Sequence, residues 1–83
     1  MGISESRFNM WRAVAAIIHA DDVVKPHEIN FILENTKTLP LSAEQMDILT
    51  RDLDAAGNIE EFYARITSPR DKEDFFHLAR AIA

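Results

Sequence analysis

A chain of 83 residues, 47% of them apolar, can bury one small core and reads as a single domain over 1–83, near the lower size limit for unaided folding. Its net charge of -5 argues against a nucleic-acid partner, because phosphate contacts need a basic face. The absence of cysteine removes thiol catalysis, thiolate metal sites and a disulfide framework, and favours a cytoplasmic location.

The first predicted helix opens at Ser4, a good N-cap, with Glu5 placed favourably for the helix dipole, and ends at His19 or Ala20. Phe8, Trp11, Val14, Ala15 and Ile18 recur at spacings of three and four, and Met10 and Ile17 widen that buried stripe. Its apolar run from Ala13 to Ile18 is the longest in the chain, far short of the roughly 20 residues needed to cross a bilayer. Nothing ahead of it combines a basic start with an apolar stretch, so no leader peptide is expected.

The second helix opens at Pro26, a residue suited to the first helical position. Ile29, Ile32 and Leu33 form its inner face with Phe31 on the flank, and Leu39-Pro40 ends it. Ser42-Ala43-Glu44-Gln45 is a capping box that starts the third helix, with Met46, Leu49 and Leu53 as its core stripe and Ile48 beside them. Gly57 is expected to end it in the left-handed conformation. Asn58-Ile59-Glu60-Glu61 is a second capping box, opening a short helix whose apolar positions are Ile59, Phe62, Tyr63 and Ile66. Ser68-Pro69-Arg70-Asp71 opens the fifth helix by the same logic, with Phe75, Phe76, Ala79 and Ile82 turned inward. No stretch alternates over a strand's length. The expected fold is all-α, a compact bundle of about five short helices, with chain neighbours packed as near-antiparallel pairs across short connections.

The connection between the first two helices carries the only candidate chemistry. It reads Ala20-Asp21-Asp22-Val23-Val24-Lys25-Pro26-His27-Glu28. Asp21, Asp22 and Glu28 converge if the turn is tight. Hard cations take six or more oxygens, and the negative end of the first helix adds to the field of the two aspartates. The same residues have a structural use: aspartates accept backbone amides in turns, Glu28 suits the first turn of a helix, and Lys25 offsets the charge. The spaced acidic loop and central glycine of an EF-hand are missing. His19 and His27 flank the turn without a ligand spacing, and His77 reads as a surface residue.

Elsewhere the residues have structural uses. Ser4, Ser6, Ser42 and Ser68 are caps or near caps, and no nucleophile has an orienting acid and base placed by spacing. The charge run Asp71 to Asp74 and the pair Glu60 and Glu61 read as solvated first turns. Trp11 reads as core. Phe31, Tyr63 and Phe75 lie off the main stripes; any left exposed would mark a partner or dimer surface. Trp11, Val14 and Ile17 align at constant offset with Phe76, Ala79 and Ile82, a faint internal echo that would place a second acidic turn after Ala83.

The first helix, followed by Ala20-Asp21-Asp22-Val23 and then Glu28, resembles the tellurite-resistance TerB-like family. That family's signature is a helix ending in Ala-Asp-Gly, a hydrophobic residue shortly after, and a glutamate opening the next helix. Ala20, Asp21, Val24 and Glu28 stand at matching places, and Asp22 replaces the usual glycine. The resemblance implies an all-helical domain of two similar halves, of which this chain covers the first, and it attaches no enzymatic activity. It implies links to tellurite and stress resistance, through metal sensing or the assembly of complexes near the inner membrane. Asp21 and Glu28 carry over, with Asp22 as a third. The expected function is a small non-enzymatic interaction or stress/metal-sensing module that meets a protein partner or a second copy, with a divalent cation as the candidate ligand of Asp21, Asp22 and Glu28. The alternatives are a fragment of a metal-dependent enzyme and a purely structural dimerisation domain.

Overall fold

A computed structural model describes residues 2–19, 26–54 and 57–82. The fold is all-α, with five helices among the described residues: α1 (Glu5–Ile18), α2 (Pro26–Thr36), α3 (Ala43–Asp54), α4 (Ile59–Ala64) and α5 (Pro69–Ile82). No strand occurs among the described residues. Asp21 and Asp22, with the rest of the acidic turn from Ala20 to Lys25, lie outside the described residues, as do Ala55, Ala56, Ala83 and the Ile82 side chain.

Beyond α1 and α2, the helices do not pack mainly as pairs of chain neighbours. Each of α2, α3, α4 and α5 makes its main contacts with α1. The sequence explains this arrangement. Met10 and the alanines 13, 15 and 16 lie beside the stripe of Phe8, Trp11, Val14 and Ile18, so α1 is apolar nearly all round, and ten of its 14 residues are buried. A helix apolar on all sides belongs in the centre. The small alanines let the outer helices approach closely.

Local chemistry sets the ends. Ser4 Oγ accepts the Arg7 amide at 3.2 Å, as an N-cap should. At the other end, His19 Nε2 lies 2.8 Å from the Leu53 carbonyl oxygen, which can only accept, so Nε2 carries the proton and ties α1 to the end of α3. The Ser42–Gln45 box is complete: Ser42 Oγ accepts the Gln45 amide, and Gln45 Oε1 accepts the Ser42 amide, each at 3.1 Å. The same carboxamide also accepts the Ile3 amide at 3.0 Å and donates Nε2 to the Ile3 carbonyl at 2.9 Å, anchoring the start of the chain to α3.

Several details differ from the sequence reading. α2 ends at Thr36, three residues before Leu39; the Thr36 hydroxyl donates to the Ile32 carbonyl at 2.8 Å, and the chain tightens into a turn. Gly57 does not adopt a positive φ. Its requirement is space: a Cβ there would lie 2.5 Å from the Phe62 ring. Asn58 Oδ1 caps α4 by accepting the Glu61 amide, but the Glu61 carboxylate pairs with Arg65 instead of closing the box. Two stripe residues face solvent, Leu33 at 43% and Met46 at 38% exposure, because α2 and α3 each touch only α1 closely and bury a narrower face.

Candidate interaction surface

Among the described residues, an open groove lies between α4 and α5. Ile59, Glu60, Tyr63 and Ala64 form one wall and Phe75 and Phe76 the other, around a groove of about 460 Å3. Three rings pave it. Tyr63 sits 5.6 Å from Phe75 and 6.0 Å from Phe76, and Phe75 meets Phe76 edge-on at 5.4 Å. These are favourable tilted contacts, and they hold the rings in fixed relation. Phe75 reaches the core at 6% exposure, whereas Phe76 remains 49% exposed.

Both walls are fastened to α1. Phe62 on α4 and Ile66, just beyond its end, are both buried. The Arg12 guanidinium lies 4.3 Å from the Phe62 ring centroid and makes two hydrogen bonds to Asp52 on α3, at 2.7 and 3.3 Å. The start of α5 is held by Ser6, whose Oγ accepts the amides of Thr67 and Ser68 at 3.1 and 3.0 Å. Arg7 donates from Nη1 to both Asp71 and Asp74. Its hydrogen bond to Asp74 is the main influence holding the guanidinium above its usual pKa, against a smaller opposing cost of burial. Asp71 and Asp74 are therefore not a solvated run: Asp71 is buried, and both fix α5 on α1.

The apolar surplus falls on other residues than those expected. Phe75 is core and Phe76 is the exposed ring, while Tyr63 and Phe31 are half-buried. A helical projection holds the signal that separates the two phenylalanines. Three and four residues away, Phe76 has Lys72, Glu73, Ala79 and Arg80, three charges and one apolar residue, whereas Phe75 has Asp71, Lys72, Leu78 and Ala79, so Phe75 has the more apolar surroundings.

Two charged groups bear on the groove, one in its lining and one beside its Tyr63 ring. Glu60 lines the α4 side. Lys72 lies one turn before Phe76 on α5, with Nζ 5.8 Å from the Tyr63 ring centroid. Neither forms a salt bridge among the described residues, where the pairs are Arg7 with Asp71 and Asp74, Arg12 with Asp52, Arg65 with Glu61, and His77 with Glu73.

Of the predicted metal-ligating residues, only Glu28 is described, half-buried in the first turn of α2. Asp21 and Asp22 lie outside the described residues, and so does any convergence of theirs with Glu28. Among the described residues no group of three or more histidines and carboxylates is placed to hold a metal ion. His19 is committed to Leu53, and His27 and His77 are exposed. Among the described residues, two buried polar atoms, Asn9 Oδ1 and Trp11 Nε1, have no hydrogen-bond partner; both belong to α1 and neither lines the groove. No described helix is long and apolar enough to cross a membrane.

Comparison with protein families, curated proteins and solved structures finds no match to this chain.

Proposed function

We propose that this protein is a small, non-enzymatic interaction module of TerB-like type that engages a protein partner through the α4–α5 groove. The observation that carries the reading is Phe76. It is a large ring held half out of the core by two neighbouring rings, on a helix that ion pairs and hydrogen bonds to Ser6 fix to α1. Exposed aromatic surface beside a hollow is what docking sites present, and aromatic residues dominate their energetics. The groove lies within the usual range of ligand-sized pockets, but it is open and shallow-walled, which suits a side chain or helix face of a partner. The resemblance of the acidic turn to the TerB-like family supports the same class of role, with stress or metal sensing as its context and Asp21, Asp22 and Glu28 as the place for a divalent cation.

The test is photocrosslinking in cells with p-benzoylphenylalanine at position 76, and at exposed position 30 on α2 as control. Discrete adducts at 76 that are absent at 30 support the reading. The same diffuse pattern at both positions overturns it.

A further inference from the structure

We propose that the occupant of the groove is a second copy of this chain, docked about a two-fold axis with α4 of each copy against α5 of the other. This rests on the reading of the groove as an interaction surface and names what fills it. The argument is charge. The same face carries a carboxylate, Glu60, which lines the groove, and an ammonium, Lys72, whose Nζ lies 5.8 Å from the Tyr63 ring centroid, and neither has a salt-bridge partner among the described residues. An occupant bearing one sign of charge matches one of these groups and is repelled by the other. A two-fold contact is self-complementary, so residue i meets residue j and residue j meets residue i. Antiparallel apposition brings Glu60 of each copy to Lys72 of the other and satisfies both groups together.

Shape agrees with this arrangement. Phe76 is half-exposed on one wall, and the other wall includes Ala64, the smallest side chain of the lining. Each copy therefore presents a projecting ring and a groove on the same face. The face is small: a standard interface takes about 800 Å2 from each partner, a sizeable share of the 5305 Å2 exposed by this chain. The net charge of -5 on each copy also opposes approach. The dimer is accordingly a weak one, with a dissociation constant on the order of micromolar.

Sedimentation equilibrium of the whole chain, from micromolar to millimolar concentration, reads the mass directly. Wild type is expected to move from 9.5 kDa toward twice that value. Phe76→Ser should weaken association about tenfold or more, while circular dichroism confirms that the fold is kept. Glu60→Lys and Lys72→Glu should each weaken it, and the double variant carrying both should restore it. The proposal is overturned by a 9.5 kDa species at every concentration, by a dimer indifferent to Phe76→Ser, or by a double charge swap no tighter than the single ones. A monomer that still yields discrete crosslinks to another protein at position 76 refutes self-pairing alone and leaves the interaction surface standing.

Discussion

Replacing Gly57 by alanine sets two effects of opposite sign against each other. Gly57 precedes the α4 cap with no positive φ, so alanine is allowed there by its backbone. Allowed Gly→Ala changes stabilise by about 0.4–1 kcal/mol, because the unfolded chain loses freedom. Against that, the new Cβ would lie 2.5 and 2.8 Å from Phe62 Cε2 and Cζ. An aromatic ring cannot fold away as a flexible chain end can. Phe62 is buried under the Arg12 guanidinium, which is itself held by Asp52, so displacing the ring disturbs three residues on three helices. Overpacking of this kind costs about 1–3 kcal/mol, so the clash wins. A net loss of about 1.5 kcal/mol lowers the melting temperature of a domain this size by roughly 6–12 °C. The assay is thermal and urea unfolding followed at 222 nm, in a cycle with Phe62→Leu. In the Phe62→Leu background the clash is relieved, and Gly57→Ala should become neutral or slightly stabilising. Equal effects of Gly57→Ala in the wild-type and Phe62→Leu backgrounds would refute the reasoning.

Ser6→Ala removes the acceptor shared by the Thr67 and Ser68 amides; a cost of about 1–3 kcal/mol is expected, with hydrogen exchange at both amides accelerated more than elsewhere. On α2, Ile32→Ala should cost about 2–4 kcal/mol in urea unfolding, whereas Leu33→Ala should stay within about 0.5 kcal/mol, since one residue is fully buried and the next is 43% exposed. Gln45→Glu keeps the acceptor for the Ile3 and Ser42 amides and loses the donor to the Ile3 carbonyl. It should speed amide exchange at Ile3 less than Gln45→Ala does, and equal rates in the two variants would count against the paired bonds.

The elements were readable because their ends are chemical. Ser4, Ser42 and Asn58 cap helices through hydroxyl and amide oxygens, a local effect that three or four residues determine. Side-chain destinations were less readable where a partner is distant in sequence. Asp71 looks like a helix-start carboxylate, yet it turns to Arg7, 64 positions away. Ser6 looks like a near cap of its own helix, and it caps the approach to another, 61 and 62 positions away. Phe75 and Phe76 exchange roles because both fit an apolar stripe when only spacing is counted. Which one is covered depends on where α1 lies, and α1 is central because its alanines widen its apolar face until it runs nearly all round the helix. The acidic turn is a separate matter, since Asp21 and Asp22 lie outside the described residues. Calorimetric titration with calcium, magnesium, manganese and zinc decides between its two readings. Heat that disappears in Asp21→Asn and Glu28→Gln marks a cation site, and no heat at millimolar metal leaves the turn as scaffold.

The position of α1 also constrains how the chain reaches its native state. The outer helices rest on α1 more than on one another, so no subset that omits it has a core to condense around. The partner last made along the chain, α5, closes onto the segment made first, which encloses nearly the whole polypeptide in one loop. Loops of that length cost entropy before any contact is rewarded, and folding slows as the mean separation of contacts grows. Among helical domains of its size this one should be a slow folder, with a transition state in which α1 is already structured and the outer helices are still arriving.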